Sequence, residues 1–329
     1  DMSDEEYRNN LYSLWTNYCV SESYEPGSTF KPVTVASALE EGVVKDGDTY
    51  VCKGFETVAD YKLKCHVFST IGSHGSLTVE QALMNSCNPY MIHLALEMGN
   101  SRFAYYQSLF GFGKITGIDL PGETTGIVYG DRMTTIDAAC NSFGQTINVN
   151  MMQMMAAYCS IINGGMLYQP HIVKRIESAN GEVVKEYKAN LVRQTITAST
   201  SKLLRRYLKN TVEEGTAKKA GVTGYSVAGK TGTAQKGDRK DNKWIISFIG
   251  HAPAENPKFA IYVVIDEPYG TTGTSGSSAD VLTLTHNILE KLLPYMNVYK
   301  DASDEYEDTS SSPDELTVDG IPAGTASSN

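Results

Sequence analysis

The sequence predicts an α+β fold, an α/β sandwich in which an antiparallel sheet is flanked by helices. Three strand-like runs occupy residues 226–234, 243–253 and 258–268. The connections between them, QKGDRKDN and AENP, are short and rich in turn-forming residues, which predicts an antiparallel meander. Helix-like segments precede these runs, and another, roughly 279–296, follows them. We therefore expect helices to cover the sheet.

Four apolar segments ahead of the sheet are predicted to be helices. The first begins at Ser28, ends near residue 41 and is followed by Gly42. The other three are SLTVEQALMNS (76–86), PYMIHLALEMG (89–99) and MMQMMAAYCSIINGG (151–165).

Length and composition describe a globular chain with an acidic end. Of its 329 residues, 41% are hydrophobic, which suffices for a sizeable core. We expect one domain over residues 1–300, followed by an acidic, low-complexity tail over 301–329. The net charge of −10 argues against a nucleic-acid partner. No apolar stretch approaches the about 18 residues of a membrane span, and the opening residue, Asp1, suggests a processed or excised piece.

The stretch YEPGSTFKPVT places Ser28 and Lys31 one helical turn apart, on the same face of the first helix. A desolvated lysine beside a serine can lose its proton and act as the base for a nucleophile. The spacing alone is weak, because Ser199 and Lys202 repeat it in what looks like an ordinary helix start.

Two further motifs add chemistry. NSCNPY supplies the hydroxyl of Ser86 and the amide of Asn88 at a helix break, although Ser178 and Asn180 share this spacing. AGKTGTA places Lys230, Thr231, Gly232 and Thr233 on a predicted strand. A cation, two hydroxyls and a glycine that leaves the backbone bare suit an extended peptide ending in a carboxylate. The alternative for this motif is a glycine bulge on an edge strand.

Cys52 and Cys65 differ from the other four cysteines because they bracket a hairpin or loop, CKGFETVADYKLKC. They are either free thiols or, outside the cytoplasm, a possible disulfide. Zinc is the least favoured choice, since these cysteines with His66 and His74 lack the short paired spacing of structural zinc sites.

In the order S-x-x-K, S-x-N, K-T-G, the three motifs match the signature of penicillin-binding proteins and serine β-lactamases. The chain resembles the transpeptidase domain of a class B penicillin-binding protein, with YEPGSTFKPVT, DLPGE, FGQTINV, EEGTAKKA and VAGKTGTA in the expected order over residues 24 to about 268. The resemblance implies the penicillin-binding transpeptidase and serine β-lactamase-like fold.

The chain departs from this family at several positions. Cys87 stands in the middle of S-x-N, where aspartate is frequent, and Thr146 stands where the family often has glycine. TTGTSGSSAD (271–280) matches the glycine-rich lead into the last helix only loosely. Residues 1–27 do not resemble the strands with which such domains begin, so we expect the domain to lack its N-terminal strands.

The resemblance implies a role for each motif. Ser28 would attack the penultimate D-Ala carbonyl of a peptidoglycan stem peptide, Lys31 would deprotonate Ser28, and Ser86 would relay the proton. Asn88 would hold the substrate amide, and Lys230, Thr231 and Thr233, beside Gly232, would bind the terminal carboxylate. The backbone N–H groups of Ser28 and Thr233 would form the oxyanion hole. No metal or organic cofactor is required.

The same resemblance implies partners and a location. The partners would be D-Ala-D-Ala stem peptides, β-lactam antibiotics and a glycan-strand polymerase reached through a missing N-terminal region. The location would be the extracytoplasmic face of the bacterial cell membrane. Two alternatives stay open: a β-lactam-sensing receptor domain, and a serine β-lactamase, although the E-x-x-L-N loop of class A enzymes is absent from the sequence.

Overall fold

A three-stranded antiparallel sheet forms the centre of the fold. The computed structural model describes residues 3–237, 243–268 and 277–302. The strands are β9 (Ala228–Lys236), β10 (Lys243–Ala252) and β11 (Phe259–Asp266), and they lie in the order β11-β10-β9. This confirms the predicted meander. The expected tail lies outside the described residues from 303 onward, as do residues 271–276 of the glycine-rich lead.

The chain also contains helices, several of which pack on the two faces of this sheet. Among the described residues they are α1 (Asp4–Ser13), α2 (Tyr18–Ser21), α3 (Lys31–Glu41), α4 (Val79–Met84), α5 (Asn88–Met98), α6 (Asn100–Leu109), α7 (Thr135–Asn141), α8 (Met151–Ile162), α9 (Ala198–Glu213) and α10 (Ala279–Tyr295). Within that part of the chain, none of them is long and apolar enough to cross a membrane.

Alternate residues of β10 separate two hydrophobic cores. Ile245 and Ile249 belong to the larger core, which contains side chains of helices α3, α5, α8 and α9. Ile246 and Phe248 belong to a smaller core with α10. Because successive side chains of a strand point to opposite faces, the sheet is packed by helices on both faces. This arrangement is the predicted sandwich.

Four two-stranded ladders surround the central layers. They are β1 (Thr49–Cys52) with β4 (Gly75–Thr78), β2 (Phe55–Val58) with β3 (Tyr61–Lys64), β5 (Met166–Gln169) with β8 (Asn190–Gln194), and β6 (Arg175–Glu177) with β7 (Val183–Glu186). The β2–β3 pair confirms a hairpin between Cys52 and Cys65.

Two local predictions need correction. The helix predicted from residue 76 begins at Val79, because Gly75–Thr78 pairs with β1 and Thr78 caps the helix through the backbone N–H of Gln81. The helix predicted from Ser28 opens with a 3₁₀ turn, Gly27–Phe30, before α3 begins. Ahead of the 3₁₀ turn, residues 4–13 and 18–21 are helical.

Candidate active site

Ser28 lies in the 3₁₀ turn ahead of α3. Gly27 and Gly144 allow close contacts between the backbone of this turn and neighbouring segments. Gly27 has a φ of +57°, and its N–H donates to the carbonyl of Gly144 at 2.9 Å. A Cβ on Gly27 would lie 2.5 Å from the carbonyl oxygen of Thr233. Only glycine allows this approach, so the turn that carries Ser28 is held directly against β9.

Lys31 extends from the first turn of α3 into the interior and is fully buried. Its Nζ donates to the Ser86 carbonyl at 2.5 Å, to Ser86 Oγ at 3.0 Å and to Asn88 Oδ1 at 2.7 Å. Burial lowers the pKa of Lys31 to about 8, against the opposing charges of Cys87 and Cys65. A lysine with this pKa can exchange a proton near neutral pH.

Ser86 and Asn88 lie on either side of the junction between α4 and α5. Ser86 has a φ of +54°, an uncommon conformation for a serine, and it is 8% exposed. Asn88 is the first residue of α5, and its Nδ2 donates to the carbonyl of Lys64 at 3.2 Å. The amide oxygen is thereby directed at Lys31, and the junction presents three acceptors to one ammonium group: the carbonyl and the hydroxyl of Ser86 and the amide oxygen of Asn88.

The K-T-G motif lies on β9, an edge strand of the described sheet. Its register with β10 is continuous, with Gly232 opposite Ser247, so the glycine-bulge alternative is wrong. Lys230 is fully buried, and its Nζ donates to the Thr231 carbonyl at 3.2 Å and to Thr231 Oγ1 at 3.3 Å. Burial, and then the charge of Lys31, lower the pKa of Lys230 well below its ordinary value.

Gly232 is needed for packing, which differs from the expected role of leaving the backbone bare for a substrate. A Cβ there would lie 2.5 Å from Ser247 Oγ, 2.8 Å from Thr29 Cγ2 and 3.0 Å from the Pro26 carbonyl. These neighbours belong to the protein interior and to the turn that carries Ser28. The glycine therefore allows β9 to pack against the nucleophile turn.

Five of the predicted residues line one cavity of about 440 Å³: Ser28, Ser86, Asn88, Thr231 and Thr233. Lys31 and Lys230 lie buried beside it. Within the described part of the chain, Ser28 makes no side-chain hydrogen bond. The structure thus brings the three separate motifs together around a serine hydroxyl.

The cavity also has walls that motif spacing did not identify, namely His66, Phe143, Thr216 and Trp244. Thr216 Oγ1 lies 3.3 Å from Thr231 Oγ1, so it extends the row of hydroxyls on β9. The segment EEGTAKKA, which contains Thr216, was the only signal for this residue.

The second S-x-x-K pair and the second S-x-N pair lie in an ordinary helix start and an ordinary turn. Ser199 lies in the first turn of α9, which Thr197 caps by accepting from the Thr200 N–H. Ser178 and Asn180 lie in the turn between β6 and β7. Neither pair lines the cavity that contains Ser28.

Cys52 and Cys65 are free thiols in the structure rather than the possible disulfide. Both sulfurs instead approach His74 Nδ1, that of Cys52 at 3.8 Å and that of Cys65 at 3.5 Å. Cys87 completes this group, directly behind Ser86 and Asn88.

The family model for the penicillin-binding protein transpeptidase domain matches residues 2–290. The chain belongs to this family. It is 41% identical over 288 residues to Stage V sporulation protein D of Bacillus subtilis, covering 86% of this chain and 44% of that protein. It is 32% identical over 292 residues to the peptidoglycan D,D-transpeptidase FtsI of Escherichia coli, covering 87% and 46%. The chain thus spans less than half the length of these relatives.

Solved structures of penicillin-binding proteins share the fold. Penicillin-binding protein 3 of Mycobacterium tuberculosis, in a complex with aztreonam, superposes with a TM-score of 0.78 at 29% identity, covering 88% of this chain and 66% of that one. The D,D-transpeptidase domain of a protein from Eggerthella lenta gives 0.78 at 27% identity, covering 89% and 70%. The expected penicillin-binding transpeptidase fold is confirmed.

Proposed function

We propose that this transpeptidase domain cross-links peptidoglycan stem peptides through a serine acyl-enzyme and that β-lactams acylate and inhibit it. One observation carries the proposal: buried Lys31 contacts both Ser86 Oγ and Asn88 Oδ1 beside the cavity that contains Ser28. Relatives that are named as peptidoglycan D,D-transpeptidases, FtsI of Escherichia coli among them, support the same chemistry.

In the first half-reaction, Ser28 Oγ attacks the carbonyl carbon of the penultimate D-Ala. The serine proton passes to neutral Lys31 Nζ, which its lowered pKa makes available. Ser86 Oγ, 3.0 Å from Nζ, then carries a proton to the nitrogen of the departing D-Ala. The C–N bond breaks, free D-Ala leaves, and an ester to Ser28 remains.

In the second half-reaction, the amine of a neighbouring stem peptide attacks this ester. Its proton returns through Ser86 and Lys31 to Ser28 Oγ as the ester bond breaks, so the enzyme is regenerated. The backbone N–H groups of Ser28 and Thr233 stabilise the oxyanion in both steps, a contribution of about 3 kcal/mol per donor. The close approach of Gly27 to Thr233 supports this pairing of donors.

The hydroxyls of Thr231 and Thr233 bind the terminal carboxylate of the substrate at the wall of the cavity. Lys230 acts from beneath them through its contact with Thr231 Oγ1. An arriving carboxylate favours the protonated form of Lys230, which burial alone disfavours. The extended peptide runs along the edge of β9, where strand addition is available.

We further propose that the whole protein works at the extracytoplasmic face of the bacterial membrane beside a glycan-strand polymerase. Support comes from the chemistry, because a cross-linking enzyme needs newly made strands as substrate. It comes also from the length of the relatives, more than half of which lies outside the matched region. Co-purification of the full-length protein with a polymerase from solubilised membranes would test this, and recovery of the protein in the cytosolic fraction would contradict it.

A fluorescent penicillin tests the acyl-transfer proposal directly. We expect labelling that persists for hours, disappears in Ser28→Ala and is unchanged in the matched variant Ser199→Ala. Rapid loss of the adduct with release of hydrolysed drug would show a β-lactamase instead. A folded protein with no adduct would contradict acyl transfer altogether.

A further inference from the structure

Four potential metal ligands meet behind the active site. They are the sulfurs of Cys52, Cys65 and Cys87 and the imidazole of His74, and their ligand atoms all lie within 4.8 Å of one another. The three cysteines are buried, and His74 is partly buried. Each comes from a different place in the fold: the end of β1, the end of β3, the approach to β4 and the start of α5. Four ligands from separate elements that converge on one point need a common cause.

The two spacings from a cysteine sulfur to His74 Nδ1 fit a tetrahedral ion. The sulfurs of Cys52 and Cys65 lie 3.8 and 3.5 Å from His74 Nδ1. Zinc bonds to sulfur at about 2.3 Å and to nitrogen at about 2.0–2.1 Å, so neighbouring ligands in a tetrahedron lie about 3.5–3.8 Å apart. A disulfide would need two sulfurs at about 2.05 Å, and none of these cysteines is bonded to another.

The backbone around the cluster suits thiolate ligands. The N–H of Gly54 donates to Cys52 Sγ at 3.4 Å, and the N–H of Cys65 donates to the Gly54 carbonyl at 2.8 Å. These two hydrogen bonds hold both ends of the β2–β3 hairpin beside the cluster. The Gly54 N–H stabilises the charged form of the Cys52 sulfur and orients it.

We propose that Cys52, Cys65, His74 and Cys87 bind one divalent ion of the zinc class as a closed Cys₃His site. Three thiolates and an imidazole favour zinc over magnesium and calcium, which prefer oxygen ligands. With four protein ligands no position is left for a substrate, so the ion is structural. The ion takes part in none of the chemical steps of the acyl transfer proposed above.

The sequence makes zinc at Cys52, Cys65 and His74 the least favoured choice, because no two of them form a short C-x-x-C pair. The fourth ligand does not enter that choice, because it belongs to another motif. Cys87 lies between Ser86 and Asn88, the two residues that contact Lys31. An ion on Cys87 therefore fixes the strained backbone of Ser86 and the start of α5. This positioning effect rests on the proposed function, whereas metal binding itself does not.

The metal content of the purified chain tests the proposal. The protein is expressed in zinc-supplemented medium and purified under reducing conditions. Its bound metal is measured by inductively coupled plasma mass spectrometry. We expect about one zinc per chain, lost in Cys65→Ser and in His74→Ala. The matched controls Cys140→Ser and His171→Ala should keep it. Equal metal in Cys65→Ser and Cys140→Ser would overturn the site.

Cobalt(II) provides a second measurement that does not depend on how well a variant folds. The unaltered chain, stripped of zinc and loaded with cobalt(II), should show the intense visible bands of a tetrahedral ion and a thiolate-to-cobalt charge-transfer band. Weak octahedral bands would overturn the proposal. So would a Cys52–Cys65 disulfide found by mass spectrometry in the chain as purified.

The positioning effect has its own readout. Removing zinc should slow penicillin acylation at least about tenfold, the scale of outer-shell effects at metal sites, and adding zinc back should restore it. Ser28→Ala should bind zinc fully and take no label, which separates failure of the metal site from failure of the acyl-transfer proposal. Acylation that is unchanged by zinc removal would contradict the positioning effect.

Discussion

Lys31 Nζ lies 3.0 Å from Ser86 Oγ, and both groups are buried. The two residues are 55 positions apart in the sequence. Their contact joins the nucleophile turn to the α4–α5 junction. It makes Lys31 the point through which protons enter and leave the proposed reaction.

The rate of acylation should therefore follow the ionisation of Lys31. Burial lowers the pKa of Lys31 to about 8, and the neutral amine is the active base. The rate of labelling by a fluorescent penicillin should rise with pH and level off above about pH 8. Lys31→Ala should cost about 10²–10⁴-fold in that rate. The control Lys202→Ala should match the wild type, and a flat pH profile for the wild type would argue against Lys31 as the base.

Ser86 and Asn88 should affect this pH profile differently. Ser86→Ala removes the proposed relay but leaves the Ser86 carbonyl and Asn88 Oδ1 on Lys31, so the rate should fall about 10²-fold or more with little change in midpoint. Asn88→Ala removes an acceptor that favours the charged amine, so the midpoint should move to lower pH. The same acylation assay measures both, with Asn180→Ala as the control. Identical profiles for the two variants would contradict the assigned roles.

Much of the fold was predictable because its signals are local. The turns between the last three strands and the glycine after α3 are marked in neighbouring residues, and these elements were confirmed. The strand β4 was missed because only its pairing with β1, distant in sequence, makes residues 76–78, which were predicted to be helical, part of a strand. Local propensity carries no information about that partner.

The site was predictable as a set of motifs but not as a geometry. The spacing of Ser28 and Lys31 also occurs at Ser199 and Lys202, so only the resemblance to a family distinguished the two pairs. That Lys31 hydrogen-bonds to Ser86 and Asn88 depends on how α3 packs against α5. Thr216 and the cluster around Cys87 depend likewise on contacts between elements far apart in the chain.

Gly232→Ala should destabilise the protein and slow acylation together. The added Cβ would overlap Ser247 Oγ and Thr29 Cγ2, and the Pro26 carbonyl behind them belongs to the nucleophile turn. We expect a loss of about 1–3 kcal/mol in the free energy of unfolding, measured with urea. Adding Ser247→Ala removes the nearest overlap and should recover part of that loss. If the double variant is no more stable than Gly232→Ala, the overlap with Ser247 is not the cause.

Buried His251 should make the fold sensitive to mild acid. Its Nε2 lies 3.1 Å from the Ala254 carbonyl, which only accepts, so Nε2 carries the proton and Nδ1 accepts from the Tyr158 hydroxyl at 2.8 Å. Burial lowers the pKa of His251 from 6.5 to about 4. Between these values the unfolded chain binds a proton that the folded chain does not, so stability is lost as the pH falls through this window.

The expected loss from this group between about pH 6.5 and pH 4 is roughly 3 kcal/mol in the free energy of unfolding. Urea titrations across that range measure it. His251→Gln should start from a lower stability and show a smaller decline with acid, because glutamine takes up no proton. The exposed residue His171, changed to Gln, should leave the decline as it is in the wild type. If His251→Gln and the wild type lose stability in parallel, the acid sensitivity must come from other groups.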